Sequence, residues 1–255
     1  MVNSSPSVYS NGTNGIKTAH LRLYAPCAGG IKYLLAQSPD TEHLVPDVQE
    51  AEWEVVGTKK DVKLYKEVAK PPEKLNKTRG IGIIKAPTDF VASVIADDYE
   101  AWDDTIKELR VLNSERDPDT GALVEIIWTR YCLQVPLLKD RDFVYREVTQ
   151  QLPGGVHIIF GQSITPEEEA QCTDVPHPAS VIRGEMGASG WVIAPAEGGQ
   201  HSNVTYVALT DLKGQFPQVL VNQYSTDVPL TVNDVRKVVT AKLKAQAKQA
   251  AKGCA

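Results

Sequence analysis

The segment that decides the fold spans residues 137–146, Leu137-Leu138-Lys139-Asp140-Arg141-Asp142-Phe143-Val144-Tyr145-Arg146. It follows Pro136, where an extended apolar segment ends, and its aromatic and β-branched residues 143–145 begin a new strand. The pattern therefore predicts a strand, an apolar loop, a charged corner and a second strand. Leu137 and Leu138 either cover an apolar space as a lid or fold back onto the core, and the segment by itself favours core packing.

Composition limits the class of protein. The chain has 255 residues, 42% of them hydrophobic, which suits one large domain or two small ones with a substantial core. The formal net charge of -5 argues against a broad nucleic-acid-binding surface. Nucleic acid is therefore not an expected partner.

The cysteines point to a reducing compartment. Cys27, Cys132, Cys172 and Cys254 are widely spaced and form no CxxC pair, so neither a zinc ribbon nor a redox motif is expected. The polar N-terminus lacks the apolar core of a signal peptide, and no apolar run approaches the roughly 20 residues of a membrane span. We therefore expect a cytoplasmic protein with no metal and no other cofactor.

The chain is predicted to hold one domain, residues 16–250, between a flexible polar tail at 1–15 and a short tail at 251–255. A helical pattern covers residues 16–37 and is expected to break or bend at Gly29-Gly30.

Strands dominate the middle of the chain. They are predicted at 53–57, 62–66, 77–84, 109–116, 123–135, 143–151, 156–160, 180–194 and 202–211. Pro87 opens a helix between two of them, and a long apolar helical stripe follows Gly214 with an interruption at Pro229. Runs of strands without strict alternation with helices indicate an α+β fold with an antiparallel sheet of about nine strands.

Motifs of common enzyme classes are missing from the sequence. There is no phosphate-binding glycine loop, no HExxH and no GxSxG elbow. The histidines are scattered, and His157 in an apolar strand is interpreted as a satisfied sheet residue. An enzyme is not expected.

The ordered set of short motifs resembles the START domains, the lipid-transfer domains related to the steroidogenic acute regulatory protein. The resemblance covers roughly residues 20–245 and rests on Arg141-Asp142-Phe143-Val144, Val181-Ile182-Arg183-Gly184-Glu185, Gly190-Trp191-Val192-Ile193-Ala194-Pro195, Val204-Thr205-Tyr206-Val207, Asp211-Leu212-Lys213-Gly214-Gln215-Phe216-Pro217 and Val221-Asn222-Gln223. Trp53 and Trp102-Asp103 also lie where the family tends to place tryptophan.

The resemblance implies a helix-grip fold, in which a curved antiparallel sheet grips a long C-terminal helix around an apolar tunnel. It implies one lipid ligand, such as a sterol or phospholipid, held in the tunnel and exchanged at a membrane surface by a monomeric, transiently peripheral protein. The loop at 136–140 corresponds to the family's lid-like loop, so Leu137 and Leu138 become candidates for membrane contact or for closing over the ligand.

The resemblance also suggests which side chains meet the ligand. The expected ligand contacts are Trp128, Arg130, Phe143, Tyr145, Glu147, Met186, Leu220 and Tyr224. Sterol-binding relatives carry an acid and an arginine at the positions of Trp128 and Glu147, so that pair is not preserved here.

Strand alternation suggests a replacement for the missing pair. It places Trp128 and Arg130 on one face of their strand, and Tyr145 and Glu147 on one face of the next. Our hypothesis is that Arg130 and Glu147 form an ion pair that points into the tunnel. The alternative, left open, is that a bulge turns Arg130 toward solvent.

Several interpretations stay open at this point. Met186, Leu220 and Tyr224 fit a tunnel wall but fit ordinary core packing as well. Arg141 and Asp142 are expected to hold the base of the lid together. A lipid sensor that regulates a partner protein is one alternative function, and a helix-grip cyclase or hydrolase is another.

Overall fold

The computed structural model describes residues 21–48, 51–67, 77–135, 138–214, 223–224 and 226–253. Its strands are β1 (Glu54–Lys59), β2 (Val62–Glu67), β3 (Lys77–Ile84), β4 (Ile106–Arg116), β5 (Leu123–Tyr131), β6 (Arg141–Leu152), β7 (Val156–Ser163), β8 (Ile182–Arg183), β9 (Glu185–Met186), β10 (Ser189–Ala196), β11 (His201–Ala208) and β12 (Thr210–Asp211). Its helices are α1 (Ala28–Ala36), α2 (Thr88–Asp97), α3 (Tyr99–Trp102), α4 (Pro166–Glu169) and α5 (Thr231–Gly253), and short 3-10 turns cover Ala25–Cys27, Glu42–Leu44, Glu197–Gly199 and Val228–Leu230.

One large antiparallel sheet runs in the order β1-β2-β3-β11-β10-β7-β6-β5-β4. Strand β8 adds a short parallel pairing to β6, and β9 pairs with β12 in a separate ribbon. Strands β4 to β7 form a meander, whereas α2 and α3 lie in the crossover from β3 to β4. The predicted α+β class with an antiparallel sheet of about nine strands is confirmed.

One face of the sheet packs against helix α5 and is here called the concave face, and the opposite face is called the convex face. Val232, Val235 and Val239 of the helix join a buried cluster with residues of β2, β3, β7, β10 and β11 and with helix α2. Two glycines of β3 permit this close approach, because a Cβ at Gly80 would overlap the Pro229 carbonyl and a Cβ at Gly82 would lie 2.7 Å from Arg236 Nη2. The sheet therefore grips the C-terminal helix, as predicted.

The convex face is covered by helix α1, whose Ile31, Leu34 and Leu35 are fully buried. The expected break at Gly29-Gly30 is wrong, because both glycines lie in the first turn of the helix. A Cβ at Gly30 would overlap the ring of Phe160, whereas one at Gly29 would meet nothing within 4 Å. Gly30 thus allows the helix to approach the sheet and does not end it.

Some element boundaries differ from the prediction. The helix predicted at 16–37 begins only at Ala28 in the described residues, after an irregular segment and a 3-10 turn, and the strand predicted at 180–194 is divided into β8, β9 and β10. Strand β5 ends at Tyr131 and not at Val135, and α5 continues to Gly253, beyond the predicted start of the C-terminal tail. The predicted N-terminal tail, residues 1–15, lies outside the described residues. Across the described ranges, no helix combines the length and the apolar character that are needed to cross a bilayer.

Candidate functional site

The register of the β5–β6 hairpin decides which side chains face α5. Glu125 lies opposite Glu147, Ile127 opposite Tyr145, and Trp128 opposite Val144. Directly opposed residues of an antiparallel pair point to the same face. Tyr145 and Glu147 therefore share the concave face with Ile127, while Trp128 points to the convex face.

The convex side of this hairpin carries a polar network around Asp142. The indole Nε1 of Trp128 donates to Asp142 Oδ2 at 2.8 Å, and Arg183 Nε donates to Asp142 Oδ1 at 3.0 Å. Arg183 also binds Glu169 and the Pro176 carbonyl, which fixes the segment after β7 over the sheet. Trp128 is almost fully buried in this outer cluster.

The predicted ion pair between Arg130 and Glu147 is wrong. Arg130 donates to Asp140 Oδ2 from Nε at 2.9 Å and from Nη2 at 2.7 Å, and its register partner is Asp142. Alternation within each strand was predicted correctly, but the register places Trp128 and Arg130 on the face opposite to Glu147. Neither residue shares a face with the other expected ligand contacts.

The concave end of the hairpin carries an aromatic and aliphatic cluster. Buried Ile127, Phe143 and Tyr145 pack with four half-buried residues, Leu109, Tyr131, Met186 and Leu212. The rings of Tyr131 and Phe143 meet edge to face with centroids 5.6 Å apart. This arrangement brings together three predicted contacts, Phe143, Tyr145 and Met186.

Glu147 lies beside this cluster without a partner. No hydrogen bond or ion pair links its carboxylate to another described residue, and its other register neighbour, on β7, is Gly161, which has no side chain. Burial, followed by the nearby Glu125 carboxylate, raises the pKa of Glu147 to about 7. Glu147 nevertheless keeps part of its surface accessible.

Tyrosines continue the concave face away from the hairpin. Burial raises the pKa values of Tyr131, Tyr145, Tyr206 and Tyr224 above the usual range. The hydroxyl of Tyr145 lies 3.4 Å from Thr129 Oγ1. The hydroxyl of Tyr224 hydrogen-bonds with Thr210 Oγ1, so this predicted contact lies near the same face.

Packed tryptophan and tyrosine rings form a further part of the concave face. Trp191 stacks on Tyr206 with centroids 4.1 Å apart, and Trp102 meets Trp191 edge to face at 5.7 Å. The predicted set of ligand contacts did not include Tyr131, Trp191 and Tyr206, which the structure places near the predicted Phe143 and Tyr145. The signal for two of them was present, since Trp191 and Tyr206 belong to the strand motifs that carry the family resemblance.

Arg141 joins the loop before β6 to the segment after β12. Its Nε donates to the Leu212 carbonyl at 2.6 Å, its Nη2 to the Lys213 carbonyl at 3.2 Å, and its Nη1 to the Lys139 carbonyl. The contacts of Arg141 agree with the expectation that it holds the base of the loop, whereas the carboxylate of Asp142 binds Trp128 and Arg183 on the convex face. Leu138 is half-buried, whereas Leu137 and the predicted contact Leu220 lie outside the described residues.

The described part of the chain contains no group of three or more His, Cys, Asp or Glu side chains that could hold a metal ion. The ionisable groups near the concave cluster are Glu147, Glu125, Asp103 and the tyrosines. Burial raises the pKa of Asp103, which accepts hydrogen bonds from the amide and hydroxyl of Thr105. The concave face thus combines apolar and aromatic surface with a few acidic and phenolic groups.

Solved structures share this architecture. Human StAR-related lipid transfer protein 5 superposes with a TM-score of 0.66 at 17% identity, covering 86% of this chain and 99% of its own. The lipid transfer and protein localization domain of human StarD13 (DLC2) gives a TM-score of 0.60 at 18% identity, covering 85% and 97%. Human STARD10 gives 0.62 at 21% identity, covering 78% of each chain. These similarities concern the fold.

A search of curated proteins finds no match to this chain. A family model, by contrast, recognises most of the sequence. The model described as the START domain matches residues 40–244. This range spans all the described elements of the sheet and most of helix α5. The chain belongs to the START domain family.

Proposed function

We propose that the protein binds one lipid molecule between the concave face of the sheet and helix α5, and that it carries this lipid between membranes. Membership of the START family supports the proposal. Two of the similar structures carry lipid transfer in their names, and their fold matches over more than four fifths of this chain.

The observation that carries the proposal is the character of the concave face. Aromatic and aliphatic side chains line it at Phe143, Tyr145 and Met186, and an unpartnered Glu147 stands among them. A densely packed core leaves no accessible surface and no unpaired carboxylate. Here Met186 and Glu147 both keep accessible surface, which suits a wall that a ligand covers.

The physical basis of carriage is the burial of hydrocarbon. Each CH₂ group removed from water contributes about 0.8 kcal/mol, so a sixteen-carbon chain contributes roughly 13 kcal/mol. A lipid therefore leaves such a site for another apolar environment far more readily than for water. Exchange then occurs while the protein touches a membrane, and the loop that contains Leu137 and Leu138 is the proposed lid.

The site suits binding better than bond chemistry. Nucleophilic catalysis requires a nucleophile within hydrogen-bond reach of a base. In the described part of the structure, Glu147 hydrogen-bonds to no serine, cysteine or histidine. We therefore propose that the protein is a carrier and not an enzyme.

Two measurements test this function together. Native mass spectrometry of the purified protein is expected to show one co-purified lipid per chain. Transfer of that lipid between two vesicle populations is expected to accelerate with protein concentration. A bound lipid without transfer would indicate a sensor, turnover of the lipid would indicate an enzyme, and absence of any lipid binding would contradict the proposal.

A further inference from the structure

We propose that Glu147 anchors the polar end of the ligand, and that this end donates hydrogen bonds and carries no negative charge, as a hydroxyl or an amine does. The inference rests on the proposed function, since it names the ligand class of that same site. It depends on how charge is divided between the two faces of the sheet.

Arginines of the central strands lie on the convex face and are already paired there. Arg146 binds Glu168 at 2.9 Å, Arg130 binds Asp140 at 2.7 Å and Arg183 binds Asp142 at 3.0 Å. Strand alternation puts Arg146 between inward-facing Tyr145 and Glu147 in sequence but on the other side of the sheet. These arginines are unavailable to a ligand on the concave face.

Two further arginines approach the concave side, but their guanidinium groups donate hydrogen bonds to backbone carbonyls. Arg141 binds the carbonyls of Leu212, Lys139 and Lys213. Arg236 of α5 binds the carbonyls of Ile83, Lys60 and Asp61 at the turn and strand beside it. In these contacts, neither guanidinium is oriented to bind an anionic headgroup of a ligand.

Apart from Arg141, whose guanidinium binds backbone carbonyls, the titratable groups described on this face are acidic or phenolic. Strand β5 presents Glu125 and Tyr131, β6 presents Tyr145, and Asp103 after α3 influences both tyrosines. Strand β7 presents Gly161 opposite Glu147, and Met186 of β9 lies 3.2 Å from where a Cβ of Gly161 would be. Neither of those two residues titrates.

Because Arg141 is held by backbone carbonyls, the carboxylates of Glu125, Glu147 and Asp103 favour a ligand group that donates hydrogen bonds over a phosphate, sulfate or carboxylate. Glu125 already accepts a hydrogen bond from Ser114 Oγ at 2.9 Å. Glu147 is the carboxylate of this group that lacks a described partner. A ligand that covered this acceptor without pairing with it would pay a desolvation cost, whereas a hydroxyl or ammonium group of the ligand would satisfy it.

A matched series of lipids tests the inference. Octadecylamine, octadecanol and octadecyl sulfate share one hydrocarbon tail, so differences in affinity report the headgroup. Each is offered to the full-length protein from phosphatidylcholine vesicles, and the bound fraction is measured by native mass spectrometry. At pH 8 the amine and the alcohol are each expected to bind at least about ten-fold more tightly than the sulfate.

The pH profile and variants assign the effect to Glu147. The amine stays protonated from pH 6 to pH 8, and its affinity is expected to rise about ten-fold as Glu147 ionises. Glu147→Gln should abolish this rise, while Glu167→Gln on the exposed α4 should leave it intact. Glu125→Gln should move the midpoint to lower pH, because Glu125 raises the pKa of Glu147.

The outcomes separate this inference from the proposed function. Equal affinity for the sulfate, or a pH profile unchanged in Glu147→Gln, would overturn the inference while lipid binding stands. Failure of every member of the series, together with the absence of a co-purified lipid, would overturn the proposed function as well.

Discussion

The guanidinium of Arg141 donates a hydrogen bond to the carbonyl of Leu212 at 2.6 Å. The first residue of β6 is thereby fixed to the segment that follows β12, although the two lie far apart in sequence. Arg141 also holds the carbonyl of Lys139 in the loop before β6. Arg141 therefore anchors both the loop before β6 and the segment that follows β12.

Replacing this anchor should cost substantial stability. Arg141→Ala would leave the carbonyls of Leu212, Lys139 and Lys213 without their donor in a half-buried setting, and we expect a loss of about 3 kcal/mol in the free energy of unfolding. Urea denaturation measures it. The control is Arg110→Ala, whose exposed side chain binds Glu108 and lies 5.5 Å from the ring centroid of Trp128, and it should change stability by less than about 1 kcal/mol.

Trp128→Phe tests the correction to the sequence-based assignment. The variant removes the hydrogen bond from Nε1 to Asp142 but keeps an aromatic ring in the outer cluster, so unfolding should become easier by about 1–2 kcal/mol. Lipid binding should stay unchanged, because Trp128 faces away from α5. Weakened lipid affinity in a folded Trp128→Phe protein would show that the facing assignment is incorrect.

The adjacent glycines of α1 offer a matched pair of substitutions. Gly30→Ala places a methyl group against the ring of Phe160, and we expect a loss of about 1–3 kcal/mol from overpacking. Gly29→Ala adds the same atoms in open space and should be neutral or stabilising by up to about 1 kcal/mol. Thermal or urea unfolding compares them, and equal effects would argue against the close packing of this helix on the sheet.

Stability should fall as pH rises through the titration of Glu147. Its pKa is about 7 in the folded protein against an ordinary 4.5, so the folded state binds a proton that the unfolded state has already lost between these values. The contribution of the protonated carboxyl is complete below about pH 4.5 and disappears above pH 7, an effect of up to about 3 kcal/mol. Glu147→Gln should lack this pH dependence. Urea denaturation should therefore show that the free energy of unfolding of the variant rises relative to that of the wild type between pH 5 and pH 8.

Much of the fold follows from local pattern. The alternating residues of β1 and β2 and the proline before α2 predicted elements close to those observed. The long apolar stripe at Val232, Val235 and Val239 predicted the helix that the sheet grips. These signals are local, because periodicity and proline chemistry act within a few residues.

The facing of side chains could not be predicted in the same way. The sequence of the loop between β5 and β6 does not reveal the register in which the two strands pair. A shift of one residue in this register moves every side chain of a strand to the other face. This is why Trp128 and Arg130 were expected beside Glu147. Likewise, the pattern at Gly29-Gly30 could not reveal the ring of Phe160, which is distant in sequence and decides why a glycine is needed.

The central claim is that a lipid tail lies against the concave face. The most direct measurement is photo-crosslinking with octadecanol that carries a diazirine in the middle of its chain, followed by tandem mass spectrometry to locate the adducts. The account predicts adducts at concave residues such as Phe143, Tyr145 and Met186, and none at the buried outer residues Trp128 and Val144. Adducts confined to the outer face or to exposed surface would contradict it.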